Sequence, residues 1–186
     1  MYNMNAYVPN NTGEHYLETY DSEFGLGTRA RINIPEGTVI AHYGGFLYTN
    51  ATAPDGDYRV YSMMCGPFLQ MDPSPPDNGA VIHPLFQNCM MLYVNEPGMN
   101  DPRSNCQFLE EDVELVNGNV LTVPTLVSLW NIAAGTVVTA CYGLFYARDY
   151  PTRCPSTTPN FKNRRAVTHQ KGSTLAVKRF RSVRQI

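Results

Sequence analysis

Apolar residues in this chain come in short runs, each cut off by Gly, Pro, Asn or Asp. That spacing predicts short strands joined by tight turns. Residues 29–32 (Arg-Ala-Arg-Ile) and 38–41 (Thr-Val-Ile-Ala) read as two strands, with Pro35-Glu36-Gly37 as the turn between them. Residues 58–63, 105–109 and 136–139 also suit strands. The clearest local signal is residues 113–123, where Asn117-Gly118 separates two β-prone runs. It predicts a two-residue hairpin turn, because both central positions need positive φ. Ala134-Gly135 marks a further turn, residues 1–15, 50–57 and 73–79 read as loops, and residues 84–93, free of Gly, predict one short helix. The pattern is that of a mostly β domain with few short helices.

Length and charge sharpen this picture. With 186 residues the chain has room for one domain with a real core. No apolar run approaches the ~20 residues that cross a bilayer. The polar N-terminus lacks a cationic start followed by an apolar stretch, so no secretory signal is expected and the reading is nuclear or cytoplasmic. The charge is strongly divided. Residues 1–160 hold all sixteen acids and six Lys or Arg, a net charge of −10, whereas residues 161–186 hold eight Lys or Arg and no acid. An acidic body attracts a basic partner. The basic tail can touch nucleic acid or a nucleosome, serve as a nuclear address, fold back on the acidic body, or simply stay solvated. The expected division is an N-terminal segment over 1–16, the domain over 17–150 and the tail over 151–186. Cys65, Cys89, Cys106, Cys141 and Cys154 are odd in number and form no CxxC pair. Reduced, mostly buried thiols are expected in place of a disulfide or a zinc site. The four histidines, His15, His42, His83 and His169, are scattered, and His42 reads as structural.

Composition does not name a reaction; four motifs in order do more. Gly25-Leu26-Gly27 is followed by residues 34–45, Ile-Pro-Glu-Gly-Thr-Val-Ile-Ala-His-Tyr-Gly-Gly. Then come Asn95-Glu96-Pro97, with Asn105-Cys106 soon after, and finally residues 132–143, Ile-Ala-Ala-Gly-Thr-Val-Val-Thr-Ala-Cys-Tyr-Gly. Each alone has an ordinary explanation in a turn or a strand end. Together, over roughly residues 17–150, they resemble the SET domain of protein lysine methyltransferases.

The resemblance implies several small β-sheets around a knot-like crossing, where the Asn95 and Tyr142 segments meet. It implies S-adenosylmethionine as cofactor, held by Gly25, Leu26, Gly27, Asn95 and Glu96, with Phe145, Tyr146 and Tyr150 as candidates to close the site. Tyr142 becomes the main catalytic residue, with Tyr43 beside it, and Tyr43, Phe108, Ala140 and Tyr142 become the substrate-lysine channel. The implied activity is methylation of lysine on a basic protein or peptide, such as a histone tail. No metal is called for. The sequence departs from the family where His-Ser becomes Glu96-Pro97, where Ala140 replaces a common aromatic, and where the flanking cysteine-rich segments are missing. These departures keep a rival reading open: a SET-like module that binds protein or chromatin without catalysis.

Overall fold

A computed structural model describes residues 6–22, 25–49, 61–65, 69–75, 81–115, 117–143, 152–154 and 181–182. These form eleven strands in three small antiparallel sheets: β1 (Ala6–Tyr7), β2 (Leu17–Ser22), β3 (Gly25–Ala30), β4 (Val39–His42), β5 (Gly45–Thr49), β6 (Met63–Cys65), β7 (Leu69–Asp72), β8 (Cys106–Glu114), β9 (Val120–Ser128), β10 (Val137–Val138) and β11 (Arg181–Ser182). One sheet has the order β1-β5-β7-β6, the second β10-β3-β2 and the third β11-β8-β9-β4. The mostly β expectation holds. No helix among the described residues is long and apolar enough to cross a membrane.

Burial follows strand position. In the edge strand β2 only Leu17 is buried, and the residues after it alternate between half-buried and exposed. β9 lies between β8 and β4 and is covered on both faces, so Val123, Pro124, Thr125, Leu126 and Val127 are all buried in succession. Leu17, Ile34, Ile40, Met71 and Leu126 anchor the main core, and Phe46, Tyr48 and Phe86 form a smaller second cluster. Between β4 and β5 the backbone runs very close to its neighbours. A Cβ on Gly44 would lie 2.6 Å from Pro9 Cδ, and one on Gly45 would lie 2.7–2.9 Å from the backbone of Asp72. The two glycines after Tyr43 therefore serve close packing.

Several local expectations change. Residues 29–32 and 38–41 were expected as strands flanking one turn. The turn exists, with Thr38 N–H donating to the Pro35 carbonyl (3.3 Å), but its arms enter different sheets, β3 with β2 and β10, and β4 with β9. The hairpin turn is longer than two residues. Glu114 is opposite Val120, Leu115 N–H donates to the Asn119 carbonyl, and Gly118 N–H donates back to Leu115 with Gly118 at φ +79°. This is the three-residue turn with Gly in the left-handed position. In place of one helix over 84–93 there are two 3-10 turns, Pro84–Phe86 and Met90–Tyr93. Cys89 between them is extended and buried, its thiol donating to the His42 carbonyl (3.2 Å), and that anchor interrupts the helix. Residues 1–15 are also more than loop, since β1 pairs with β5. Of the strand expected at 58–63, residues 58–60 lie outside the described residues.

The cysteines divide. Cys65, Cys89 and Cys106 are free and buried, as expected. Cys141 and Cys154, expected as thiols, form a disulfide with Cα atoms 5.4 Å apart. Sequence spacing missed it because the pairing depends on a return of the chain. Thr152 Oγ1 donates to the Pro97 carbonyl (2.6 Å) and Arg153 Nε to the Met99 carbonyl (2.8 Å), which brings Cys154 beneath Cys141. The His42 ring lies 3.3 Å from the Glu111 carboxylate inside the third sheet, in keeping with a structural role.

Burial raises the proton affinity of several groups. It pushes the Cys89 thiol up to about 11 and the Cys106 thiol up to about 12. Cys65 is raised further by burial and by nearby Glu110. The Tyr7 phenol rises to about 12, through burial and then the nearby Glu111 carboxylate. Each group holds its proton more tightly folded than unfolded. Their contribution to stability is therefore complete below about pH 9 and is lost as the pH climbs through about 11 to 12. Unfolding free energy from urea titrations should be level near about pH 8 and fall above about pH 9, on the order of 1 kcal/mol per pH unit for each buried thiol and less for the partly exposed Tyr7. A free energy that holds level to about pH 11 contradicts this account.

Candidate functional site

The site is built where three separated stretches of chain meet. Residues 137–140 run between the Asn95 segment and the Asn105–Cys106 segment. Ala140 N–H donates to the Asn95 carbonyl (3.1 Å), and Cys106 N–H donates to the Thr139 carbonyl (3.0 Å). The Asn105 side chain closes the same contact from both ends, its Oδ1 accepting from Thr139 N–H (3.0 Å) and its Nδ2 donating to the Val137 carbonyl (2.7 Å). A buried side-chain amide with both groups satisfied holds the crossing in one arrangement.

From this crossing the Asn95 side chain reaches the β2–β3 hairpin. Its Nδ2 donates to the Leu26 carbonyl (3.2 Å). Gly27 is opposite Tyr20 in that hairpin. A Cβ on Gly27 would lie 3.0 Å from the Tyr20 ring and 3.3 Å from Asn95 Nδ2. The absence of a side chain at Gly27 is what lets Asn95 come this close.

A cavity of about 420 Å³ joins these groups to the aromatic residues. Gly25, Leu26 and Asn95 line it together with Tyr43, Phe108 and Tyr142, so most of the residues singled out from sequence share one space. Phe108 and Tyr142 stack with centroids 6.2 Å apart and planes 26° apart. Among the described residues the lining contains no acid, no Lys or Arg and no His. Both tyrosine hydroxyls donate to backbone carbonyls, that of Tyr142 to Val94 (2.9 Å) and that of Tyr43 to Tyr61. An O–H used in this way leaves the oxygen lone pairs as acceptors. Burial, with Cys89, Asp72 and Tyr142 nearby, holds the Tyr43 phenol neutral far above its ordinary range.

Three sequence candidates are not part of the lining, and the first is Gly27, which is packed against Tyr20 and Asn95. Ala140 is fully buried in the crossing, bridged to Cys106, and is not part of the cavity lining. Glu96 is not part of it either. Its buried carboxylate accepts from the Tyr142 backbone N–H at 2.6 Å, so it fixes the backbone of the catalytic candidate. Phe145, Tyr146 and Tyr150 lie outside the described residues. Sequence reasoning missed Tyr61 and Tyr93, which also line the cavity. Tyr93 immediately precedes the Val94-Asn95 segment, a cue that was available; Tyr61 follows a polar loop that no motif marks. The Glu96 carboxylate and the sulfurs of Cys141 and Cys154 lie within 4.8 Å of one another, but the two sulfurs are bonded together. No family model matches the chain, and no curated protein matches it.

The Glu96 contact yields a direct prediction. Glu96→Ala leaves a half-buried N–H without its acceptor and should cost about 1 kcal/mol. Glu96→Gln, which keeps an acceptor oxygen, should restore most of that. Urea unfolding checks both, and two variants as stable as wild type would remove Glu96 from this role.

Proposed function

We propose that this protein is an S-adenosylmethionine-dependent lysine methyltransferase of the SET type, acting on a basic protein or peptide such as a histone tail. The observation that carries the reading is one cavity shared by Gly25, Leu26, Asn95, Tyr43, Phe108 and Tyr142. The residues suit the cofactor. Gly25 and Leu26 line the cavity, Gly27 has no side chain to crowd Asn95, and Asn95 is fixed beside them. S-adenosylmethionine held there would supply a sulfonium methyl for a neutral lysine amine, the C–S electron pair staying with sulfur as the C–N bond forms.

The rest of the chemistry belongs to this chain. Uncharged aromatic walls admit a lysine ammonium by cation–π attraction, worth ~0.5–2 kcal/mol. Burial of that charge away from water lowers the amine's proton affinity and favours the neutral nucleophile. The Tyr43 and Tyr142 oxygens, with their O–H groups donated to backbone, accept hydrogen bonds from the amine and orient its lone pair. Most of the acceleration comes from holding nitrogen in line with the methyl. Glu96 contributes by anchoring the Tyr142 backbone.

Calorimetry with S-adenosylmethionine tests the cofactor site. Wild type should bind, and Asn95→Ala and Gly27→Val should lose at least tenfold in affinity, about 1.4 kcal/mol. Tyr142→Phe should bind nearly as wild type but transfer methyl at least tenfold more slowly, the same energy in the barrier. Equal affinity in all variants would reject the assignment. Binding by wild type without transfer to any lysine would favour the non-catalytic binding module.

The same walls set the degree of methylation. Phe108 stacks on Tyr142, and its lack of a hydroxyl would leave space near a lysine nitrogen bound there. The wild-type enzyme should therefore carry lysine beyond one methyl, to the di- or trimethyl form. Phe108→Tyr should shift products toward monomethyl-lysine, because the added hydroxyl fills that space or binds the amine. Mass spectrometry of a peptide methylated with excess cofactor decides; a wild type that halts at one methyl contradicts this view of the channel.

A further inference from the structure

The β8 strand has two edges. β9 pairs with one along its whole length, and β11 lies on the other, with the backbone of Arg181 opposite Glu110 and that of Ser182 opposite Leu109. The strands are antiparallel, so β11 runs toward Phe108, the next residue of β8 and a wall of the cavity. β8 carries four acids in nine residues; Glu110 is buried and Glu111 faces His42, while Asp112 and Glu114 are exposed. The chain from residue 161 onward carries eight Lys or Arg and no acid. An open strand edge accepts any extended segment through backbone hydrogen bonds, and opposite charge selects which segment comes. The pairing spans two residues, short enough for the strand to exchange with a competitor.

We infer that the outer edge of β8 is a docking edge for an extended basic segment, and that the chain's own C-terminal strand is its resident occupant, which a basic substrate peptide must displace to lie beside the cavity. The identity of the incoming peptide rests on the methyltransferase reading; the resident strand does not.

Two full-length variants test this. Arg181→Pro removes a backbone donor from β11, and Arg181→Glu keeps the donor but sets an acid opposite Glu110 in the ladder. Hydrogen exchange should show one of the two consecutive amides of Leu109 and Glu110, the one whose N–H faces β11 and not β9, slower in wild type by about tenfold or more than in Arg181→Pro. A fluorescent, Lys- and Arg-rich peptide with one unblocked lysine should bind both variants about threefold or more tightly than wild type at low salt, with the difference shrinking as salt rises. Unchanged exchange at Leu109 and Glu110, or unchanged peptide affinity, overturns the inference. Faster exchange and tighter binding without methyl transfer would uphold the docking edge and reject the methyltransferase reading. Methyl transfer with unchanged exchange would do the reverse.

Discussion

The structure depends on the passage of residues 137–140 between two other segments. Thr139 and Ala140 make backbone hydrogen bonds to Cys106 on one side and Asn95 on the other, and the Asn105 amide ties off both ends. Val138 and Ala140 are fully buried there. Buried backbone N–H and C=O groups that lose their partners cost free energy, so the crossing favours being complete or absent. Everything at the site follows from its completion. It carries Tyr142 up to Val94, Asn95 across to Leu26, and Cys106 into line so that Phe108 faces Tyr142.

Around that crossing the protein separates its charges from its chemistry. Carboxylates are abundant on β8 and elsewhere, yet the cavity lining among the described residues is uncharged and largely aromatic. Where an acid does approach, as Glu96 does, it is spent on a backbone N–H and stays out of the lining. Such a space suits a group that enters as a cation and reacts as a neutral amine. The disulfide between Cys141 and Cys154 and the contacts of residues 152–153 with Pro97 and Met99 brace the segment just beyond the crossing. The tail thus begins packed against the body before its basic stretch.

Much of the site was legible in the sequence because its members are short motifs with backbone reasons. Gly27 has to lack a side chain beside Asn95, and Gly44 and Gly45 have to lack one beside Pro9 and Asp72. What was not legible depends on contacts far apart in the chain. Cys141 and Cys154 meet only because residues 152–153 bond to residues 97–99. Tyr61 joins the cavity through tertiary packing with Tyr43, and nothing in its own neighbourhood announces that. Glu96 occupies a position where resemblance implied a cofactor contact, and its carboxylate accepts instead from the Tyr142 backbone N–H. Sheet membership was hidden for the same reason: the arms of the Pro35–Gly37 turn are adjacent in sequence but find different partners.

The most direct measurement of the central claim is transfer itself. Full-length protein, S-adenosylmethionine carrying a labelled methyl group, and a panel of core histones and basic peptides are incubated together, and the products are mapped by mass spectrometry. The account predicts label on the side-chain nitrogen of specific lysines, abolished when those lysines are replaced by arginine. Label that appears on no lysine of the panel, from a protein shown to be folded, would contradict it.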